Sequence, residues 1–235
     1  MLFHTLAHRG SETDLPERMA VALMILLLTL IGGRITPSFT SDYLVEQGLP
    51  DPLPSFSRYD GLTIMLTVVS ALSWVVQPQA MTTGWCLVAA GLANIVRLSR
   101  WRGWLTWPEP LVLILHAGYG WLAFSLLSIG GATLGFGLKP ADAVHALTTG
   151  AVGAMTFAVM TRASLGHTGR PKQADHLTVT IYILVNLGAL LRVFGPAIGL
   201  PTALIFGMAA AAWSGAYLLF AARYGPYLIR PALDE

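Results

Sequence analysis

The sequence predicts an all-α membrane protein, a bundle of about seven transmembrane helices. Of its 235 residues, 54% belong to the set AVILMFWYC and only 11% are charged, whereas soluble domains carry about 25% charged residues. The apolar residues come in runs close to the ~20 residues that cross about 30 Å of hydrocarbon. Because backbone polar groups in lipid must be satisfied within the chain, and these runs do not alternate with polar residues, helices are favoured over a barrel.

Charged residues, proline and glycine delimit seven apolar stretches. The predicted spans cover residues 18–35, 60–76, 80–98, 109–129, 142–160, 175–194 and 202–222. They form one domain over residues 18–222, between a polar tail at 1–17 and a second tail at 223–235. We predict a tight turn at Gln77-Pro78-Gln79, and a structured loop over 36–58 because this segment is rich in proline.

The distribution of lysine and arginine predicts the topology, because short cytoplasmic loops are enriched in these residues. Seven spans place four of them on the side of the N-terminus and ten on the other side. The N-terminus is therefore expected outside and the C-terminus in the cytoplasm. An N-terminus outside without a signal sequence suggests that further helices precede this chain or lie on a partner. Mapping the N-terminus to the cytoplasm would exclude this arrangement.

Composition also excludes some functions. The net charge is +2 and the pI about 8.9, but the basic residues are scattered over loop ends and form no continuous basic face, so no nucleic-acid partner is predicted. The single cysteine, Cys86, excludes a disulfide within the chain and a CxxC metal site. The predicted partner of most of the surface is the lipid bilayer.

Two histidines in the spans are the first candidates for chemistry, because ionisable groups at membrane depth are costly and often functional. His116 lies about two turns inside its span. It could be a ligand or proton relay, or a neutral imidazole hydrogen-bonded to a neighbouring helix. His145 opens the fifth span, where Asp142 is a plausible N-cap, and shares a helix face with Thr149. We predict a ligand role for it.

The turn after the fifth span combines glycines with basic residues. Arg162, His167 and the residues around them suit an anionic group, although an ordinary positively charged loop has the same composition. His176 follows Asp175 at the start of the sixth span, which indicates either a helix cap or a ligand. Arg34, Arg97 and Arg162 end spans on the same side, where they could pair with carboxylates of a cofactor or anchor helices at lipid headgroups.

Several motifs resemble the NnrS family. They are His-Ala-Leu-Thr-Thr-Gly at 145–150, Met-Thr-Arg-Ala-Ser-Leu-Gly-His-Thr-Gly-Arg-Pro at 160–171, Gly-Gly-Arg-Ile-Thr-Pro-Ser-Phe-Thr at 32–40, Arg97, and His-Ala-Gly-Tyr at 116–119. Together they cover most of the chain. Typical members are longer and begin with further helices carrying a histidine-rich motif that this sequence lacks, so the resemblance implies a shortened member. Either a homo-oligomer or a partner subunit supplies the missing helices, or this chain retains only the site in the cytoplasmic loop.

The resemblance implies a multi-span protein of the bacterial inner membrane that binds haem and copper and acts in tolerance of nitric oxide and nitrosative stress. The cofactor-binding candidates are His116, His145, His167, Arg162, Arg34 and Arg97, with the arginines on haem propionates. The metal-ligand candidates are His116, His145 and His176. Whether the protein is an enzyme stays open.

Two other functions fit the residues. The first is a cofactor-free assembly or scaffold subunit that needs a partner, with Gly130-Gly131 and Gly150 with Gly153 as packing surfaces. The second is a small-molecule permease in which His116 and Asn186 line a polar pathway.

Overall fold

The computed structural model describes residues 14–49, 53–199 and 201–232. Within these ranges the chain forms long helices and no strand, and seven helices are long and apolar enough to cross a membrane. They are α1 (Leu15–Glu46), α2 (Arg58–Val76), α3 (Met81–Arg100), α4 (Pro110–Thr133), α5 (Pro140–His167), α6 (His176–Phe194) and α7 (Thr202–Leu228). The predicted all-α fold with seven spans is confirmed.

The fourth helix, α4, packs against α1, α3 and α5. This helix buries 67% of its most apolar 18-residue stretch, against 28% for α2 and for α7. Its neighbour α3 approaches closely at Gly130, where a Cβ atom would lie 2.8 Å from the carbonyl oxygen of Gly84. The large apolar side chains that remain exposed, such as Leu62 and Leu218, lie on the outer helices. The bundle is therefore organised for a lipid environment, with α4 in its core.

The first helix differs most from the prediction. Residues 36–46, predicted as part of a loop, continue α1 beyond Pro37 to Glu46. Proline has no amide hydrogen, so the carbonyl of Gly33, four residues earlier, loses its helical donor. The guanidinium of Arg97 donates to that carbonyl at 3.4 Å. The helix continues because a residue of α3 replaces the missing hydrogen bond.

Two of the long helices contain π-helical segments. In α1 the segment is Leu28–Gly32, and in α5 it is Ala146–Val152. Single π-helical turns inside α-helices are rare and often occur at functional sites. The predicted turn at Gln77-Pro78-Gln79 is confirmed between α2 and α3.

Candidate functional site

The two ends of the bundle differ in chemistry. At one end, which we name the His145 end, α4 and α6 end and α5 and α7 begin. At the other, the Arg97 end, α3 and α5 end and α4 and α6 begin. His145 lies at the first end, whereas His167 and His176 lie at the second and His116 is closer to the second. The histidine candidates are therefore divided between two places.

The ring of His145 is held by its own helix. Its Nδ1 lies 2.6 Å from the carbonyl oxygen of Ala141, one turn earlier. Because a carbonyl can only accept, Nδ1 carries the proton and donates it. In the neutral ring this leaves the lone pair on Nε2, and an Nδ1–H bonded to a carbonyl is the usual arrangement of a histidine that ligates a metal through Nε2.

A cavity of about 630 Å³ opens beside His145 between α1, α2, α4 and α5, and we name it the His145 cavity. Its lining is apolar on most sides and polar near the end of the bundle. The apolar residues include Val21, Trp74, Ile129, Ala132 and Val144, and the polar ones Glu17, Arg18, Gln79 and His145 itself. The arrangement is a hydrophobic chamber with one imidazole and a charged rim.

His145 also lines a second, smaller cavity of about 320 Å³, between α5, α6 and α7. Thr149, Arg192 and Trp213 contribute polar groups to it. The buried indole nitrogen of Trp213 has no hydrogen-bond partner. One histidine therefore lines two cavities, and the indole nitrogen of Trp213 lies buried beside Gly153.

The π-helical segment of α5 begins directly after His145. Gly150, inside this segment, leaves room for an aromatic ring, because a Cβ atom there would lie 2.5 Å from the Trp121 side chain. The indole of Trp121 donates to the side-chain oxygen of Asn186 at 2.9 Å. Asn186 thus bonds across helices, as expected for an amide in mid-span. Together these contacts fix α5 against α4 and α6 next to His145.

His116 has a different environment. Its side chain is 7% exposed, and its Nε2 lies 2.8 Å from the hydroxyl of Thr40. The Thr40 hydroxyl donates its hydrogen to the carbonyl of Thr36, so Nε2 of His116 must be the donor to Thr40. Its Nδ1 faces Gly103 and has no partner. This histidine joins α4 to α1 and lines none of the cavities described here.

Arg97 lies in the core rather than at the surface. It is 2% exposed. Its guanidinium donates to Asp60 at 3.2 Å, to the Tyr119 hydroxyl at 2.8 Å, and to the carbonyls of Thr29 at 3.3 Å and Gly33 at 3.4 Å. The alternative that Arg97 anchors a helix at lipid headgroups is therefore wrong. It connects α1, α2, α3 and α4.

The hydrogen bonds continue on both sides of Arg97. Tyr119 donates to Asn94 at 2.7 Å, and Asn94 donates to Thr67 at 3.0 Å. On the other side, Asp60 also accepts from Arg100 and Ser57. We name this connected set the Arg97 network. Asp60, Tyr119 and Asn94 were not predicted as site residues, although Asp60 and Arg97 lie at the same end of neighbouring spans, a pattern that indicates an ion pair.

Arg162 lies at the Arg97 end, with its guanidinium 4.0 Å from the ring centre of Phe39. It lines a polar cavity of about 380 Å³ with Asp42, Tyr43, Glu46, Glu109, Val112 and Lys172. Burial raises the pKa of the Glu109 carboxyl. His167 and His176 are exposed nearby on the surface. Neither histidine is brought into the polar cavity.

An ion pair corrects a further expectation. Asp142 does not cap α5, which begins after Lys139; its carboxylate instead accepts from Arg192 at 2.7 Å. This ion pair joins α5 to α6. At the start of α6, Asp175 caps the helix as predicted, because its side chain accepts from the Thr178 amide at 2.8 Å.

The separation of the histidines limits metal binding. Among the described residues, no group of three or more His, Cys, Asp or Glu side chains could hold a metal ion. The three metal-ligand candidates, His116, His145 and His176, are thus not brought together. These three histidines therefore cannot share one metal ion, and a metal on any of them would need further ligands from a cofactor or from elsewhere.

The fold and these polar sites define a polytopic α-helical membrane protein with a buried ion-pair network and a histidine-lined chamber. The family described as NnrS protein matches residues 1–232, and the chain belongs to this family. The resemblance inferred from the motifs is confirmed. Comparison with curated proteins and with solved structures gave no match.

Proposed function

We propose that this chain is a haem-binding protein of the bacterial inner membrane that acts in the nitric oxide response, with His145 as a haem ligand. The observation that carries the proposal is the Nδ1–H of His145 bonded to the carbonyl of Ala141, which leaves Nε2 as the lone-pair nitrogen beside an apolar cavity. Imidazole is a common axial ligand of haem iron. When bound, haem would supply an iron centre for a small diatomic gas.

The His145 cavity suits the other parts of a haem. Its walls, such as Trp74 and Ile129, match an apolar macrocycle, and Arg18 at its rim suits a propionate. Arg34, Arg97 and Arg162 lie at the opposite end of the bundle, so propionates of a haem on His145 would not reach them. We therefore propose Arg18, and not the three predicted arginines, as the partner of a haem propionate.

Copper binding stays a prediction. Within the described ranges no three ligand side chains converge, so a copper ion on His116 or His176 would need ligands from another chain or from solvent. The scaffold alternative loses one of its arguments, because Gly130, Gly150 and Gly153 pack against helices of this same chain. These glycine surfaces are therefore already covered by helices of this chain and are not free for a partner.

The test is a reduced-minus-oxidised optical spectrum, with metal analysis, of the full chain purified from haem-replete cells. We expect a haem Soret band in the wild type and its loss in His145→Gly. Added imidazole should restore the band, because it can enter the space left by the side chain. Circular dichroism confirms that the variant keeps its helices.

The matched control is His176→Gly, which removes an exposed histidine from the opposite end of the bundle. It should keep the haem band unchanged. A band that survives in His145→Gly, or that disappears only in His116→Ala, would overturn the assignment of His145. A colourless wild type without metal would overturn haem binding as a whole.

A further inference from the structure

A cavity of about 680 Å³ at the Arg97 end, which we name the Arg34 cavity, is not part of the proposed haem site. It lies between α1, the start of α2, the end of α3 and the segment before α2. Arg34 and the Arg97–Asp60 pair line it together with Leu30, Phe56 and Ile64. The cavity thus combines cationic and apolar groups.

Its charge is positive. Asp60 is the carboxylate that lines the cavity, and both of its oxygens are already engaged, one by Arg97 and the other by Arg100 and Ser57. Arg34 is exposed and forms no ion pair or hydrogen bond with the described residues. Among the described residues at this cavity, Arg97 and Arg100 bind the one carboxylate, and Arg34 adds a further positive charge. A ligand complementary to this cavity carries a negative charge.

The apolar and polar groups are ordered along the bundle axis. Leu30 lies one turn before Arg34 in α1, which runs towards the Arg97 end, and Ile64 lies one turn after Asp60 in α2, which runs away from it. Both are therefore about 6 Å deeper in the bundle than the charges. Phe56, 72% exposed, lines the cavity from the segment before α2. This order matches a lipid, whose acyl chains lie deeper than its headgroup.

The charges of the cavity lie at the ends of two neighbouring spans. Asp60 is in the first turn of α2 and Arg97 in the last turn of α3, so both lie where these spans end. From Arg34 the first helix continues to Glu46, about 18 Å further at 1.5 Å per residue. The cavity thus lies where the last part of α1, after Arg34, begins to extend beyond the ends of α2 and α3.

We infer that the Arg34 cavity binds an anionic phospholipid, with the headgroup phosphate at Arg34 and an acyl chain along Leu30 and Ile64. This inference is independent of haem binding. It assigns Arg34 to a bound lipid rather than to a propionate.

The experiment reconstitutes the purified full chain in nanodiscs that contain mixtures of phosphatidylglycerol and phosphatidylcholine, and measures the retained lipid by native mass spectrometry. We expect the wild type to retain phosphatidylglycerol in preference. Arg34→Gln should weaken this preference about five-fold, the effect of one interfacial arginine. Because Arg34 is exposed, the substitution leaves the core packing unchanged.

The matched control is Arg58→Gln, which removes an exposed arginine at the same end that does not line the cavity. It should retain the wild-type preference. An equal loss in both variants would overturn the inference, because it would show a diffuse attraction to the surface. No preference in the wild type, or displacement of phosphatidylglycerol by excess inorganic phosphate, would overturn it too.

Discussion

The Arg97 network and the surroundings of His145 contrast in how completely their polar atoms are paired. In the network, Arg97 makes four hydrogen bonds and Asp60 accepts on both oxygens. At His145, Nδ1 donates to the carbonyl of Ala141, which leaves the lone pair of Nε2 available for a ligand. The nearby indole N–H of Trp213 has no partner. Most polar atoms of the Arg97 network have hydrogen-bond partners, whereas polar atoms around His145 remain without one.

The contrast separates structural from binding roles. A buried polar group that has all its partners holds helices in place, and its removal leaves the partners unsatisfied. A polar group next to a cavity with a remaining lone pair or donor can accept a ligand without breaking the fold. Stability should therefore depend most on the Arg97 network, and ligand binding on His145.

The largest effect on stability is expected from Arg97→Met. This variant leaves Oδ1 of Asp60, the Tyr119 hydroxyl and two carbonyls of α1 without the donor that Arg97 supplies, and removal of one member of a buried pair typically costs about 3–5 kcal/mol. Thermal unfolding in detergent measures the change. The double variant Asp60→Asn with Arg97→Met should recover part of the loss. If Arg97→Met unfolds at the wild-type temperature, the network is not a stabilising element.

A smaller loss is expected from Gly150→Ala in the π-helical segment after His145. The added Cβ atom would lie 2.5 Å from the Trp121 ring, and overpacking of this kind costs about 1–3 kcal/mol. The matched control is Gly207→Ala in α7, where no atom lies within 4 Å of the new Cβ. It should leave the unfolding temperature unchanged or raise it. Equal destabilisation by both would contradict a specific contact with Trp121.

The smallest effect concerns Asp175 and pH. Burial acts to raise the pKa of this carboxyl, but hydrogen bonds from Thr178 and Arg223 outweigh it and hold the pKa below its ordinary value. A depressed pKa means that the ionised group stabilises the fold above its unfolded pKa, near 4, and that this contribution is lost as the pH falls through the folded value.

Asp175→Asn should therefore be less stable than the wild type at neutral pH and equal to it in strong acid. The difference should be at most about 1 kcal/mol, because the Asp175 and Arg223 side chains are 39% and 29% exposed and solvent screens the pair. Asparagine also keeps the helix cap. Unfolding measured as a function of pH tests this, with the exposed Asp42→Asn as control. A difference that persists in strong acid would exclude the linkage.

The sequence alone determined the number, order and approximate ends of the spans, because the cost of placing polar groups in lipid is local and appears directly as long apolar runs. It also identified the cap at Asp175, because a helix cap depends on neighbours within one helix.

Only the tertiary structure decided how far α1 continues and which nitrogen of His145 is left for a ligand. Pro37 is a local signal to end a helix, but Arg97, far away in sequence, supplies the lost hydrogen bond. Likewise the cavity beside His145 arises from the packing of four helices. Span positions follow from each segment's own hydrophobicity, whereas partners and cavities depend on how the helices are rotated against one another.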